Sequence, residues 1–186
     1  MVALAEAAHE LGADERTFRR AVANGTVRCR VRSPRRRALD DDELAYLKRH
    51  WDLLATLRRA LRTEPNVRLA VLYGSTARGD DRDDSDADVL VSFADPHTSA
   101  RMRLAVHLER ALGRRVDVAR LDLVDGRAPL LLLQVLNEGR VIVDRDNEWD
   151  AIQARRPDIE QRAFRAHAER LRQARKAIDE LLAEDE

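Results

Sequence analysis

Apolar residues near the start of the chain recur every three or four positions, which is the period of an α-helix. This pattern predicts a first helix over residues 2–11, which ends at Gly12. Asp14 is a candidate N-cap for a second helix, and Asn24 with Gly25 marks the end of that helix. The chain therefore begins with a predicted helix, a short turn and a second helix.

The next segment has the pattern of an arginine-rich hairpin followed by a long helix. Short strands are predicted at residues 27–31 and around residues 38–39, on either side of a turn at residues 33–34. Apolar residues at helical spacing then predict a third helix that runs from about residue 40 to Thr63. The first third of the chain is therefore predicted to be mainly helical, with one hairpin.

The middle of the chain alternates between strand and helix patterns. Residues 69–73, 89–93 and 115–119 are short runs rich in strand-forming residues. A helix with its N-cap within residues 98–99 is predicted between the second and third of these strands. Beyond them, residues 158–183 keep helical spacing and predict one final helix.

Composition places the chain among globular proteins. Of its 186 residues, 44% are hydrophobic and 37% are charged, which excludes collagen-like and disordered classes. The longest apolar runs, such as residues 69–73, have five residues, whereas a membrane span needs about 18, so no membrane span is expected. The first residues lack the basic start and sustained apolar stretch of a secretory signal. We therefore expect a cytoplasmic location.

The charges are unevenly distributed, although the net charge is zero. Residues 1–63 carry 14 Lys or Arg and 9 Asp or Glu, residues 64–150 carry 12 and 17, and residues 151–186 carry 8 of each. A basic unit is suited to nucleic acid and an acidic unit to cations. We predict three parts with these bounds, and residues 63–66, which include Pro65, are the best candidate for the first boundary.

Small residues follow directly on the strand predicted at residues 69–73. Gly74 would let the backbone approach a ligand closely, and Ser75 would place a hydroxyl and free N–H groups at the start of a helix. These features suit a phosphate group. In most proteins, however, a Gly-Ser pair after a strand forms only a turn.

Three aspartates are candidates for a cation site. Asp86 and Asp88 stand at the start of the second strand with one residue between them, so alternation puts both carboxylates on one face. Like charges at this spacing repel unless a cation lies between them, and Mg²⁺ prefers oxygen ligands. Asp117 lies between two apolar residues of the third strand and so points away from them. The alternative is that the acids of residues 80–88 form only an exposed loop.

The segment from Gly74 to Val91 resembles the signature of the DNA polymerase β-like nucleotidyltransferases, in which Gly-Ser is followed after ten residues by Asp-x-Asp. It is most similar to their minimal branch. The resemblance extends over residues 67–143, where Asn137–Val143 is similar to the helix end and final strand of that domain. It implies an α+β fold with a small mixed β-sheet and helices on one side.

The same resemblance implies roles for particular side chains. The implied catalytic and metal-binding residues are Asp86, Asp88 and Asp117. The implied contacts to the β- and γ-phosphates of the nucleotide are Gly74, Ser75 and Arg78. On this basis Asp86 and Asp88 would hold Mg²⁺ on an NTP, with ATP as the expected nucleotide. Asp117 would either bind a second Mg²⁺ or accept the proton of an attacking hydroxyl.

Residues 1–63 resemble in pattern a winged helix-turn-helix of the kind found in excisionases and related small repressors. This resemblance implies DNA contacts on or beside a recognition helix and in a wing. The implied DNA-binding residues are Thr17, Arg19, Arg20, Asn24, Arg35, Arg36 and Arg37. The alternatives are that this basic unit docks a protein or serves as a scaffold.

Together the resemblances imply an enzyme that moves NMP, AMP from ATP in the first instance, to a hydroxyl acceptor. Minimal transferases of this branch are often antitoxins that adenylylate a partner toxin, and a DNA-binding unit would suit repression of the same operon. Other relatives modify aminoglycosides or tRNA ends. The alternative is a DNA-binding regulator whose transferase fold senses nucleotide or docks a protein. Expected partners are therefore an NTP, a toxin, operator DNA and a second copy of the chain.

Overall fold

The structure, a computed structural model, describes residues 1–33, 36–82 and 84–184. The described part of the first 62 residues forms three helices and a small antiparallel sheet of order β1-β3-β2. The elements are β1 (Val2–Ala3), α1 (Leu4–Glu10), α2 (Glu15–Ala23), β2 (Arg30–Ser33), β3 (Arg36–Leu39) and α3 (Asp41–Arg62). The predicted order of two helices, a hairpin and a long helix is therefore present, while its assignment as a winged helix-turn-helix stays a prediction.

Hydrogen bonds at the helix starts explain several of these bounds. Asp14 caps α2 as predicted, because its Oδ1 accepts a hydrogen bond from the Thr17 N–H at 2.8 Å. The first helix begins later than predicted, because Val2 pairs in antiparallel register with Leu39. The strand predicted from residue 27 also begins later, since the N–H of Val27 bonds to the end of α2.

The remaining described residues form a mixed four-stranded sheet with helices. Its elements are β4 (Val67–Tyr73), α4 (Gly74–Arg78), β5 (Ala87–Phe93), α5 (Thr98–Leu112), β6 (Val116–Arg120), α6 (Leu121–Arg127), α7 (Pro129–Glu138), β7 (Arg140–Asp144), α8 (Glu148–Ala154) and α9 (Arg156–Glu184). The strand order is β6-β5-β4-β7, with β5 and β6 parallel and the other pairs antiparallel. The α+β class and the mixed sheet are therefore confirmed.

Helices cover both faces of this sheet, so the prediction of helices on one side is wrong. One face of β4 buries Ala70 and Leu72 together with residues of α3 and α5. The other face buries Leu69, Val71 and Tyr73 together with residues of α6, α7, α8 and α9. The physical reason is that residues 69–73 are apolar on both faces, and each face must be shielded from water.

In the second half of the chain, one predicted N-cap is wrong and the predicted final helix is confirmed. The N-cap of α5 is His97, whose ring accepts the N–H of Ala100, rather than Thr98 or Ser99. The final helix is confirmed as α9, and its residues Ile159 and Ala163 are buried. Within the part of the chain that the structure describes, no helix is long and apolar enough to cross a membrane.

Buried residues connect the first 62 residues with the four-stranded sheet. One cluster of apolar side chains contains residues of α1, α2 and α3 as well as residues of β4, β5 and β7. At its polar edge, the guanidinium of Arg140 on β7 pairs with the carboxylate of Glu43 on α3 at 2.6 and 2.9 Å. The three-part division at residues 63 and 150 stays a prediction, but the first two parts are packed together through this core.

Candidate active site

The sequence-predicted aspartates meet at one edge of the four-stranded sheet. Tyr73, the last residue of β4, is paired with Asp88 on β5, and Asp88 is paired in parallel register with Asp117 on β6. Asp86 lies just before β5, and its carbonyl accepts a hydrogen bond from the hydroxyl of Thr76 on α4 at 3.2 Å. The register therefore places Asp88 between the end of β4 and Asp117.

Gly74 packs directly against Asp88, as a position of close backbone approach must. Its φ of +73° lies in the left-handed region that side chains disfavour. A Cβ atom at this position would lie 2.3 Å from Oδ2 of Asp88, well inside van der Waals contact. The glycine of the predicted phosphate-binding turn is thus required by the carboxylate beside it.

The negative charges of the three aspartates act on one another. Burial raises the pKa of the Asp88 carboxyl, and the negative charges of Asp117 and Asp86 raise that pKa further. Burial raises the pKa of the Tyr73 hydroxyl, and the negative charges of Asp88 and Asp117 raise it further. The site therefore has an excess of negative charge, which a bound cation would neutralise.

The outer two aspartates each face an arginine. Oδ1 of Asp86 lies 3.7 Å from Nε of Arg115, and Oδ1 of Asp117 lies 3.7 Å from Nη1 of Arg101. Both carboxylates are exposed to a large degree, with Asp117 at 64% and Asp86 at 39%. Each carboxylate is therefore accessible to a ligand, and neither is held by a short ion pair.

Magnesium fits the donor set as a two-carboxylate site. Among the described residues, no three His, Cys, Asp or Glu side chains come together in a group that could hold a metal ion. Mg²⁺ is usually bound by one or two carboxylates, with water and substrate phosphates completing its six ligands. Asp86 and Asp88 meet that requirement, and burial with the neighbouring acids raises the pKa of Asp88.

Glu138 is a site residue that sequence reasoning missed. Its Oε1 accepts a hydrogen bond from the N–H of Gly74 at 3.0 Å, and both of its oxygens accept from Nη1 of Arg78 at 2.9 Å. A carboxylate thus occupies the donors that were predicted to bind phosphate. A signal was present, because an acidic residue at the C-terminus of a helix opposes the helix dipole and so indicates an outside partner.

The other predicted phosphate contacts lie beside Glu138. Arg78 also donates from Nε to Asp80 at 3.1 Å, so its guanidinium is already engaged by two carboxylates. The hydroxyl of Ser75 makes no hydrogen bond within the described part of the chain, whereas its carbonyl accepts the N–H of Gly79. The Ser75 hydroxyl is therefore available to a ligand.

The loop between α4 and β5 is anchored by residues that sequence reasoning also missed. The Asp81 carboxylate is buried at 7% exposure, with Oδ1 2.7 Å from Nε2 of His50 and Oδ2 3.3 Å from Nη1 of Arg114. Burial raises the pKa of Asp81, but hydrogen bonds and charge from His50 and Arg114 outweigh it and leave the pKa below its usual value. Arg49 on α3 also donates to the carbonyl of Gly79 at 3.1 Å. The loop that leads to Asp86 is therefore fixed to α3.

The residues predicted to contact DNA lie apart from this site. On α2, Arg19 and Arg20 are exposed, and Arg19 pairs with Glu15 at 2.5 Å. Thr17 is exposed, and Asn24 is the half-buried C-cap of α2. On the hairpin, Arg37 is exposed. Arg35 and the side chain of Arg36 lie outside the described residues.

Comparison with known proteins gives a family for this site. A family model described as polymerase beta, nucleotidyltransferase matches residues 55–148, a range that includes Gly74, Asp86, Asp88, Asp117 and Glu138. The protein adenylyltransferase MntA of Thermococcus cleftensis is 36% identical to this chain over 86 residues, which are 45% of this chain and 87% of that protein.

Solved structures show the same similarity. A crystal structure of a toxin–antitoxin with AMP-PNP has a TM-score of 0.51 and 26% identity, and the match covers 69% of this chain and 98% of that chain. A crystal structure of an MntA–HpeT toxin–antitoxin mutant also has a TM-score of 0.51, at 25% identity and the same coverage. The similar proteins thus include a named adenylyltransferase and toxin–antitoxin assemblies.

Proposed function

Because this chain belongs to the polymerase β nucleotidyltransferase family, we propose that it transfers AMP from ATP to a hydroxyl group of a partner protein. The enzyme class follows from the family, whereas the adenylyl group and the protein acceptor are our proposal. They are supported by the adenylyltransferase MntA and by the toxin–antitoxin structure with AMP-PNP, both of which this chain resembles. The product of a neighbouring gene is the acceptor to test first, because the similar solved structures are of toxin–antitoxin assemblies.

One observation carries the proposal: the sheet register brings Asp88 beside both Gly74 and Asp117. Nucleotidyl transfer needs alignment of the reactants and stabilisation of charge on phosphate oxygens more than it needs a covalent intermediate on the protein. Asp86 and Asp88 would hold magnesium, which when bound supplies positive charge to the triphosphate oxygens. The negative excess around Asp88 suits this role.

The chain's own groups would bind the triphosphate and position the acceptor. The Gly74 N–H and the Arg78 guanidinium, which bind the Glu138 carboxylate here, have the donors that a phosphate oxygen requires. The Ser75 hydroxyl would add a third donor. Triphosphate binding would accordingly release Glu138 from these donors.

Asp117 would accept the proton of the acceptor hydroxyl, and the positive charge of Arg101 lies 3.7 Å from its Oδ1. The acceptor oxygen forms a bond to the α-phosphorus, the bond from that phosphorus to the β-phosphate bridge oxygen breaks, and pyrophosphate leaves. The alternative from the family resemblance, a second magnesium at Asp117, uses the same exposed carboxylate.

The proposal is tested by incubating the chain with magnesium, ATP labelled at the α-phosphate, and the protein encoded beside it. We expect label on that protein, confirmed as AMP by mass spectrometry. Asp88→Asn should lower the rate by about a hundredfold or more, because it removes one preorganised charge from the reacting centre. Asp84→Asn, in the exposed loop that precedes β5, should leave the rate within about twofold.

The outcome separates this proposal from a regulator that only senses nucleotide. If the chain binds ATP and DNA but labels no protein at any magnesium concentration, adenylyl transfer is the wrong function. Equal rates for Asp88→Asn and Asp84→Asn would instead place the reaction elsewhere in the chain.

We also propose that residues 1–63 bind operator DNA as a winged helix-turn-helix. Support comes from the exposed arginines of α2 and from the exposed Arg37 on β3, in a segment whose elements follow the order of two helices, a hairpin and a long helix. Arg19 and Arg20 would lie on the recognition helix, with Thr17 and Asn24 beside them. Arg35 and Arg36 would act with Arg37 in the wing.

Salt dependence tests this second proposal. If about four phosphates are contacted, affinity for duplex DNA should fall by about a hundredfold between 50 and 200 mM salt. Arg37→Gln should reduce the slope of log affinity against log salt by about one, whereas Arg165→Gln on exposed α9 should not change it. Fluorescence anisotropy of a labelled duplex measures both. A flat salt response would favour a protein-docking or scaffolding role.

A further inference from the structure

A cavity of about 510 Å³ lies between α2 and α3 and shares no lining residue with the candidate active site. One part of its wall is apolar and is formed by Ala21, Trp51, Leu54 and Ala55. The other part is basic and polar. It is formed by Arg58, Arg59, Arg62, Thr17, Thr26 and Thr63. The volume lies in the usual range of small-molecule sites.

The arginines of this cavity have no anionic partner among the described residues. Nη1 of Arg58 is buried and makes no hydrogen bond there. Burial lowers the pKa of the Arg58 guanidinium, and the positive charges of Arg20 and Arg62 lower it further. A buried donor without an acceptor is costly, and a cluster of like charges adds to that cost. An anion in the cavity would offset the repulsion between these positive charges.

The apolar and basic parts of the wall together restrict the chemical class of the anion that would fit the cavity. Trp51 offers an aromatic surface beside the guanidinium groups, which suits a flat apolar ring. Three lining arginines favour a doubly charged phosphate over a singly charged carboxylate. A DNA backbone is a poorer fit, because it would leave the apolar wall formed by Ala21, Trp51 and Leu54 without a partner. The observations thus favour a small molecule with both features.

We propose that this cavity binds a small aromatic phosphate monoester, of mononucleotide size or less, with the ring against Trp51 and the phosphate on Arg58 and Arg62. The occupant would also lie against Thr26, whose carbonyl accepts a hydrogen bond from Arg140 at 3.2 Å and whose hydroxyl donates to the Val141 carbonyl. The ligand site would therefore adjoin the contact between the first 62 residues and β7.

Trp51 provides a local signal for the test. The chain contains two tryptophans, so Trp149→Phe leaves Trp51 as the only one. The full chain with this substitution is titrated with phenyl phosphate, phenol and inorganic phosphate while Trp51 fluorescence is recorded. We expect a saturable change with phenyl phosphate, and binding at least about tenfold weaker for phenol and for inorganic phosphate.

Arginine variants in the same background test the phosphate contacts. Arg58→Gln and Arg62→Gln should each weaken phenyl phosphate binding by about tenfold or more, whereas Arg165→Gln on exposed α9 should not change it. Arg62 is exposed, so its variant keeps the test valid if Arg58→Gln fails to fold. The proposal is overturned if phenol binds as tightly as phenyl phosphate. It is also overturned if the Arg62→Gln variant binds phenyl phosphate as tightly as the parent chain does. A saturable signal with duplex DNA alone would also overturn it and assign these arginines to a DNA surface.

Discussion

Gly74 shows how one residue type can be required by a neighbour that is distant in sequence. Its backbone is in the left-handed region, and its missing side chain leaves room for the carboxylate of Asp88. Any other residue would meet both a backbone cost and a collision. The position therefore controls the geometry of the carboxylate as well as the turn.

Gly74→Ala should lower the rate of AMP transfer by about a hundredfold, because a displacement of about 1 Å at a reacting centre has an effect of that size. It should also lower the free energy of unfolding by about 1–2 kcal/mol through backbone strain. Initial rates and urea denaturation measure the two effects.

Gly113→Ala is the matched control for this substitution. Gly113 has a similar φ of +66°, but a Cβ there would meet no atom within 4 Å. Its variant should show the loss of stability that comes from backbone strain alone, with an unchanged transfer rate. If both variants transfer AMP at the rate of the parent chain, the approach of Gly74 to Asp88 is not needed for the reaction.

The loop between α4 and β5 depends on a helix from the other half of the fold. Asp81 within it is held by His50 of α3 and by Arg114 before β6, and Tyr46 of α3 packs beside Gly79. This loop leads into Asp86, so α3 holds the segment that precedes the candidate active site. A helix predicted as part of a DNA-binding unit thus anchors a loop of the region that matches the nucleotidyltransferase family.

Asp81→Asn should lower the free energy of unfolding at pH 7 by about 2 kcal/mol, since a buried, charge-assisted pair of contacts is lost. The pKa of Asp81 lies below its ordinary value of 3.8. Its contribution is therefore present above that pH and is lost as the pH falls through the lowered pKa. The difference between the variant and the parent chain should accordingly shrink towards pH 2.

Urea denaturation at several pH values measures this difference. Asp84→Asn, an exposed change in the same loop, should stay within about 0.5 kcal/mol of the parent chain at every pH. A difference for Asp81→Asn that stays constant from pH 7 to pH 2 would contradict the stabilising role of the ionised carboxylate.

The buried side chain of Arg140 contacts α3, the segment after α2, and α4. Its guanidinium, at 1% exposure, pairs with Glu43 of α3 and donates to the carbonyls of Thr26 and Ala77. Its charge also lies 3.5 Å from the ring centre of Tyr46. The contact between the first 62 residues and the sheet is therefore polar at this point and apolar around it.

Arg140→Met should lower the free energy of unfolding by about 3–5 kcal/mol, because it leaves the Glu43 carboxylate buried without its partner. The double variant Arg140→Met with Glu43→Leu should recover a large part of that loss, since no buried charge then remains. Urea denaturation followed by circular dichroism and by tryptophan fluorescence measures both variants.

The exposed change Arg165→Met serves as the control and should stay within about 0.5 kcal/mol of the parent chain. If the double variant is no more stable than Arg140→Met alone, the loss comes from the carbonyls of Thr26 and Ala77 rather than from the unpaired carboxylate.

Local patterns carried much of the fold and part of the site. Several predicted features depend only on spacings within a few residues, and such local spacings determine backbone conformation directly. They are the Asp14 cap, the long α3 helix, the strands that hold Asp88 and Asp117, and the final helix. Glu138 and Asp81 were not predicted as site or anchoring residues, because their partners lie 31 or more positions away along the chain. The prediction that helices cover only one face of the sheet was also wrong, because the pattern of a strand does not show which helices pack against each of its faces.

By itself the sequence determined the element types, the excess of acid near residues 80–88 and the Gly-Ser and Asp-x-Asp signature, because propensity, charge and spacing are local properties. Only the tertiary structure decided that Glu138 occupies the donors at Gly74, that α3 holds the loop before Asp86, and that Trp51 and the arginines of α3 line one cavity with residues of α2. Those contacts depend on strand order and on packing over both faces of the sheet, which are settled by the burial of distant segments against each other.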